Sequence, residues 1–145
     1  MAAALRRRGL TVHEETEPER RFAALGWAFN GRTGWFAGKG QRRWDLYLAF
    51  EAVLSGAPVT GRTLDSLVSG HTFLGLARRA SLSIWFAAYA FIEMNFLEAP
   101  PLWESVRREI RWARDTLCLL ERNLRVTWSP TVPVSDASGW GGRGC

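Results

Sequence analysis

The chain has 145 residues, of which 47% are hydrophobic, so it is long and apolar enough to form a single domain with a buried core. Nineteen Lys and Arg against fourteen Asp and Glu give a formal net charge of +5, and Lys39 is the only lysine. Two cysteines exclude a disulfide framework and a cysteine-rich metal cluster, and they fit a reducing compartment.

The segment at residues 82–97 is the most apolar in the chain. It is shorter than the roughly 20 residues of a bilayer span, and Glu93 and Asn95 interrupt it, so we expect a buried core helix and no membrane contact. The first ten residues lack the apolar core of a secretory signal. We therefore expect an intracellular protein, cytoplasmic or nuclear.

The first forty residues divide into two segments. Residues 1–20 are polar and charged, and only a short ordered element near residues 10–12 is expected. In residues 21–40, two aromatic-rich runs flank Asn30-Gly31, a dipeptide typical of tight hairpin turns. The pattern predicts a β-hairpin with strands at about 23–29 and 33–37.

Helical periodicity dominates residues 41–126. It predicts one helix that ends before Ser55-Gly56, a second from a Thr60 cap to about Arg79, and a third from Ser81 to residue 97. A fourth begins at Pro101 and continues to about residue 124, and a short strand follows at 128–136. The predicted fold is α+β, mainly α, with a small N-terminal hairpin and a bundle of about four helices.

Few residues suit catalysis. The chain has no GxxxxGK[ST], HExxH or GxSxG motif. His71 lies on an apolar helical face, where a core histidine is more common than a catalytic base. Asp136 ends the predicted last strand and could hold a divalent cation, but such a site needs several carboxylates, so spacing alone favours a turn cap.

Eight tryptophans are many for this length. Trp27 and Trp35 flank the predicted turn and could serve either the surface or the core. Four further tryptophans lie at helical spacing beside leucines, which favours packing in the core: Trp44, Trp85, Trp103 and Trp112.

The basic residues form two clusters that a helical protein could align along a groove. One lies near the hairpin and contains Arg32, Lys39, Arg42 and Arg43, and the other lies around the second helix and contains Arg62, Arg78 and Arg79. Such clusters would bind phosphates without sequence preference. Ordinary solvation of polar faces is the other interpretation, and charge alone leaves both open.

Taken in order, these segments resemble the second half of a retroelement reverse transcriptase. LRRRGLTVHEE is similar to the end of the palm, ALGWAFNGRTGWF to the hairpin that holds the primer, and VTGRTLDSLVSGHTFL to a thumb helix. VSDASGWGG resembles the opening of a ribonuclease-H-like domain. The resemblance divides the chain into a palm remnant (1–20), a hairpin (21–40), a thumb and connection (41–126) and the start of a truncated ribonuclease-H-like domain (127–145).

The resemblance implies roles for particular residues. Leu25, Gly26 and Trp27 match the primer grip, and Asp136 matches the first carboxylate that binds Mg in that family. The phosphate contacts would come from the basic residues Lys39, Arg42, Arg43, Arg62, Arg78 and Arg79. The paired palm aspartates and the later nuclease carboxylates are missing from this sequence, so no cofactor is expected in this chain and the missing palm and nuclease portions are its expected partners.

The expected function is therefore that of a non-catalytic fragment that holds the template-primer duplex, RNA-DNA or DNA. The alternative is a helical protein-interaction module without nucleic-acid binding. A third hypothesis, an enzyme, would require Asp136 to act with Glu98, Glu104 or Glu109.

Overall fold

The computed structural model describes residues 2–11, 19–127 and 130–131. Within these residues the α-helices are α1 (Ala2–Arg7), α2 (Gly40–Leu54), α3 (Gly61–Gly75), α4 (Ala87–Met94) and α5 (Glu104–Thr116). Two 3-10 helices span Arg79–Ile84 and Leu117–Leu119. The strands are β1 (Arg21–Ala24), β2 (Trp27–Asn30), β3 (Trp35–Gly38) and β4 (Glu121–Asn123).

The predicted two-stranded hairpin is wrong, because the structure has a four-stranded antiparallel sheet in the order β1-β2-β3-β4. Leu25 and Gly26 join β1 to β2, and both have a positive φ (+51° and +85°), as a type I′ turn requires. Asn30 starts a second, four-residue turn, closed by a 2.7 Å hydrogen bond from the Gly34 amide to its carbonyl oxygen. The chain therefore turns twice where one turn was predicted.

The last strand replaces the end of the predicted fourth helix. Leu117 and Leu120 are buried, so the apolar periodicity continues after α5 has ended. The backbone then pairs with β3, placing Asn123 opposite Trp35, and this pairing satisfies its polar groups. The strand predicted at 128–136 lies almost wholly outside the described residues, and Pro130 and Thr131 are not in a strand.

Helix boundaries agree with the prediction where local capping sets them. The Thr60 cap is confirmed, since its hydroxyl accepts from the Thr63 amide at 3.1 Å. The predicted third helix is wrong in its first half, because Ser81 belongs to a 3-10 helix and α4 starts only at Ala87. No helix in the described ranges has the length and apolar character needed to cross a membrane.

The core lies between α2, α3, α4 and α5, and the sheet packs against the C-terminal end of α3. Phe50, Leu64, Phe91 and Ile110 are fully buried there. Gly38 of β3 marks the contact with α3, since a Cβ at this position would overlap Leu74 Cδ2. The sheet thus projects from one end of the helical bundle.

Candidate nucleic-acid interface

Positive charge is concentrated in the sheet and its adjoining residues. Residues 19–43 and 121–125 contain eight Lys or Arg and two Glu, a net charge of +6, whereas the whole chain carries +5. The remaining residues are therefore close to neutral. A polyanion would be attracted to the sheet end of the molecule.

The β1–β2 turn lies beside the start of α2 and the end of α3. Lys39 donates its amide to the Gly26 carbonyl oxygen at 3.1 Å. The Arg42 guanidinium lies 4.4 Å from the centre of the Phe73 ring, and a Cβ on Gly26 would lie 3.2 Å from Phe73 Cζ. We term this group the turn cluster, which comprises Leu25, Gly26, Trp27, Lys39, Arg42 and Phe73.

An aromatic stack supports the turn cluster. The half-buried Trp27 ring stacks on Phe36 at 4.4 Å and on Phe73 at 4.7 Å, which joins β2, β3 and α3. Phe22 and Phe29 stack at 4.5 Å on the same face of the sheet. Since Trp27 is engaged by two phenyl rings, its role is to hold the turn in place.

Leu25 forms the apex of the turn. Its side chain is 92% exposed, and its φ of +51° lies in the left-handed region. That region costs a residue with a Cβ about 1–2 kcal/mol, and stored strain of this kind concentrates at functional sites. An exposed apolar side chain on a strained turn indicates a contact surface.

Within the described ranges, the two cations of the turn cluster form no ion pair. Neither Lys39 nor Arg42 has a carboxylate oxygen within 4.0 Å in the part of the chain that the structure describes. On α5, by contrast, Arg111 pairs with Glu104. Hydrogen bonds from Arg114 to Asp115 at 2.8 Å and to Glu51 at 2.5 Å raise the pKa of that guanidinium.

The structure does not bring all six predicted phosphate contacts together. Arg43 lies 3.8 Å from Glu121 of β4. Arg62 is in the first turn of α3, eleven residues before Phe73 and therefore roughly 16 Å away along the helix. Arg78 and Arg79 follow α3 at the same end as Phe73, where Arg78 lines a cavity with the end of α5.

The candidate catalytic residues have structural roles or lie outside the described residues. His71 is a core histidine, as predicted: its Nδ1 accepts from Trp85 Nε1 at 3.0 Å, and burial lowers its pKa to about 4. Asp136 lies outside the described residues. No group of three or more His, Cys, Asp or Glu that could hold a metal occurs among the residues described.

The glutamates of the enzyme hypothesis are also separated by role. Glu104 pairs with Arg111 on the exposed side of α5. Glu109 is buried and accepts from the Ala87 and Ala88 amides at 2.8 Å, so it caps α4. These two carboxylates therefore stabilise helices.

Three of the four tryptophans predicted for the core are exposed. Trp85 is buried as predicted, but Trp44 and Trp112 are about half exposed, and Trp103 is also exposed. Trp44 stacks on Tyr47 and Trp112 lies beneath Arg108, so contacts one helical turn away replace core packing. Helical spacing beside leucines did not distinguish a tryptophan in the core from one that packs on a neighbouring turn of its own helix.

Sequence reasoning missed Phe73, the residue that joins the turn cluster. Its ring lies beside the predicted apolar face of α3, which Leu64, Val68 and His71 form, and no local signal marks its contact with β2.

No family model, curated protein or solved structure matches the chain.

Proposed function

We propose that the chain is a non-catalytic module that holds a nucleic-acid duplex, the role that its resemblance to a reverse-transcriptase thumb and connection implies. The observation that carries the proposal is the net charge of +6 on the sheet end, with two cations beside an exposed turn that have no carboxylate partner among the described residues. A polyanion fits such a surface better than a neutral ligand does.

The turn cluster would contact the sugar-phosphate backbone. The Phe73 ring restricts the Arg42 guanidinium, so less side-chain entropy is lost when it binds a phosphate. Lys39, whose amide donates to the Gly26 carbonyl oxygen, supplies a second charge, and Leu25 would pack against a sugar. Contacts of this kind position a duplex and carry no sequence preference.

The test is the affinity for an RNA-DNA hybrid, measured by fluorescence anisotropy over a series of NaCl concentrations. Each phosphate contact contributes about −0.9 to the slope of log K against log salt. We expect the double variant Lys39→Ala/Arg42→Ala to make that slope shallower by about 2. The double variant Arg108→Ala/Arg111→Ala removes the same charge from α5 and is the matched control.

Three outcomes would reject the proposal. Affinity without salt dependence would rule out phosphate contacts, and an equal loss in both double variants would show that net charge matters and the turn cluster does not. Binding to neither the hybrid nor heparin would favour the alternative, a protein-interaction module, for which the exposed apolar surface of α4 provides a specific reason.

A further inference from the structure

Apart from Glu93, the outer surface of α4 and its two ends is apolar, and no described residue covers it. Tyr89, Ala90 and Met94 lie on the face opposite the buried Ala88 and Phe91. Three further side chains extend this face beyond the helix. Together they form what we term the α4 stripe: Phe86, Tyr89, Ala90, Met94, Phe96 and Leu97.

Exposure along the α4 stripe is unusually high for large apolar residues. Phe86 is 84% exposed, Leu97 is 78% exposed and Met94 is 72% exposed. With about 150–250 Å² for each aromatic side chain, the α4 stripe presents on the order of 600 Å² of apolar surface. Contiguous patches of this size mark interaction sites on soluble proteins.

The chemistry of the α4 stripe excludes two kinds of occupant. None of its members is basic, and Glu93 is exposed on the same face of α4, so a nucleic acid would be repelled. An anionic lipid surface is unsuitable because amphipathic helices that bind membranes carry several Lys and Arg beside the apolar face, whereas α4 itself contains none. A protein surface is the remaining fit.

We propose that the α4 stripe is the interface of a symmetric homodimer. Two copies of the stripe would bury on the order of 1,200 Å², the lower limit for a specific protein interface. A two-fold axis pairs the α4 stripe of one protomer with the same stripe of the other. Each stripe is then buried by its copy, and no second binding surface is needed.

Charges at the rim of the stripe favour the same arrangement. Arg62 is attached to the stripe, because its amide donates to the Phe96 carbonyl oxygen at 2.8 Å. In the described residues Arg62 has no carboxylate within 4.0 Å, and Glu93 has no cation within that distance. A two-fold axis that passes near Met94, at the C-terminal end of α4, would place Arg62 of one protomer near Glu93 of the other.

The test is sedimentation equilibrium of the full chain without nucleic acid, at about 1–100 µM. We expect a concentration-dependent dimer. Met94→Asp should weaken dimerisation by about 30-fold or more, the effect of losing a central contact. Leu48→Asp, which places the same charge on an exposed leucine of α2, is the control and should leave the dimer unchanged. Far-UV circular dichroism verifies that both variants fold.

A charge exchange tests the rim contact separately. Arg62→Glu should weaken the dimer, and the double variant Arg62→Glu/Glu93→Arg should restore it. A monomer at every concentration, an equal loss in Met94→Asp and Leu48→Asp, or additive losses in the double variant would overturn the proposal. Since no nucleic acid is present, these outcomes are independent of the duplex-binding test.

Discussion

Leu25 occupies a backbone conformation that suits asparagine or glycine better than leucine. We predict that Leu25→Asn stabilises the fold by about 0.5–1 kcal/mol, because Asn-Gly is the preferred sequence of a type I′ turn. The same change should weaken binding to an RNA-DNA hybrid, since it removes the apolar apex of the turn cluster. Urea unfolding and anisotropy measure the two effects.

Leu76→Asn is the matched control for this substitution. Leu76 is also exposed, but its φ of −59° carries no strain, so the variant should gain no stability. If Leu25→Asn lowered the unfolding free energy, the strain at the turn would not exist. Opposite effects on stability and affinity would show that leucine is kept at this position for binding.

His71 makes the stability of the fold depend on pH. Its native pKa of about 4 lies below the ordinary value of 6.5, because burial penalises the charged form. Between these values the unfolded chain binds a proton that the native protein does not, so stability falls as the pH decreases from about 6.5 to 4. The expected loss is on the order of 3 kcal/mol.

The measurement is urea unfolding at several pH values, with His71→Gln as the comparison. Glutamine can still accept the Trp85 indole N–H but does not titrate, and the carboxylates are common to both proteins. The variant should therefore lose less stability on acidification. Parallel pH profiles in the two proteins would contradict the assignment.

At the scale of the element, α4 depends on a residue from another helix. Glu109 of α5 accepts from the amides of Phe86, Ala87 and Ala88, the first unpaired donors of α4. We predict that Glu109→Ala lowers the unfolding free energy by about 3 kcal/mol, because it leaves the buried Ala88 amide and the part-buried Phe86 and Ala87 amides without this acceptor. Glu98→Ala removes an exposed carboxylate and should change stability by less than about 0.5 kcal/mol.

Hydrogen exchange provides a second measurement for this prediction. Loss of the cap should increase exchange first in α4 and leave α2 protected, since α4 alone loses its N-terminal partners. Uniform acceleration across all helices would show that Glu109 stabilises the core in general.

The elements that sequence predicts well are those whose ends depend on nearby residues. Thr60 caps α3 through its own hydroxyl, and α2 ends where Ser55-Gly56 predicts. The start of α4 depends on Glu109, 22 residues away from Ala87, and β4 exists only because β3 offers it a pairing edge. No local pattern encodes these contacts.

The candidate site divides in the same way. Leu25, Gly26 and Trp27 are consecutive, and the pairing of β2 with β3 returns the chain to them just before Lys39, so their proximity could be anticipated. The position of Arg62 could not, because it depends on the direction of α3 relative to the sheet. A helix of this length places residues at its two ends much farther apart than two neighbouring phosphates of a nucleic acid.

At the scale of the whole molecule, the two proposed surfaces lie at opposite ends of α3. The turn cluster includes Phe73, near the C-terminus of α3, whereas the α4 stripe contacts Arg62, at the N-terminus of α3. The fifteen residues of α3 place these ends about 22 Å apart. A dimer formed through the α4 stripe would therefore direct its two turn clusters away from each other.

This geometry makes duplex length a test of both surfaces together. Two turn clusters about 40 Å apart, the separation when the two α3 helices extend in opposite directions, cannot share a 10-base-pair duplex, but they can reach one of about 40 base pairs. We predict that the dimer binds the longer RNA-DNA hybrid at least 10-fold more tightly than the shorter one, because the second contact becomes intramolecular. Anisotropy above the dimerisation constant measures the difference.

The Met94→Asp variant separates avidity from intrinsic affinity. It should bind the short hybrid as the unmodified protein does, because the turn cluster is intact, and it should lose the gain on the long hybrid. Leu48→Asp should keep that gain. If the longer hybrid still binds Met94→Asp more tightly, extra phosphate contacts within one protomer explain the gain. If the unmodified dimer binds both hybrids with equal affinity, its two turn clusters cannot reach a single duplex.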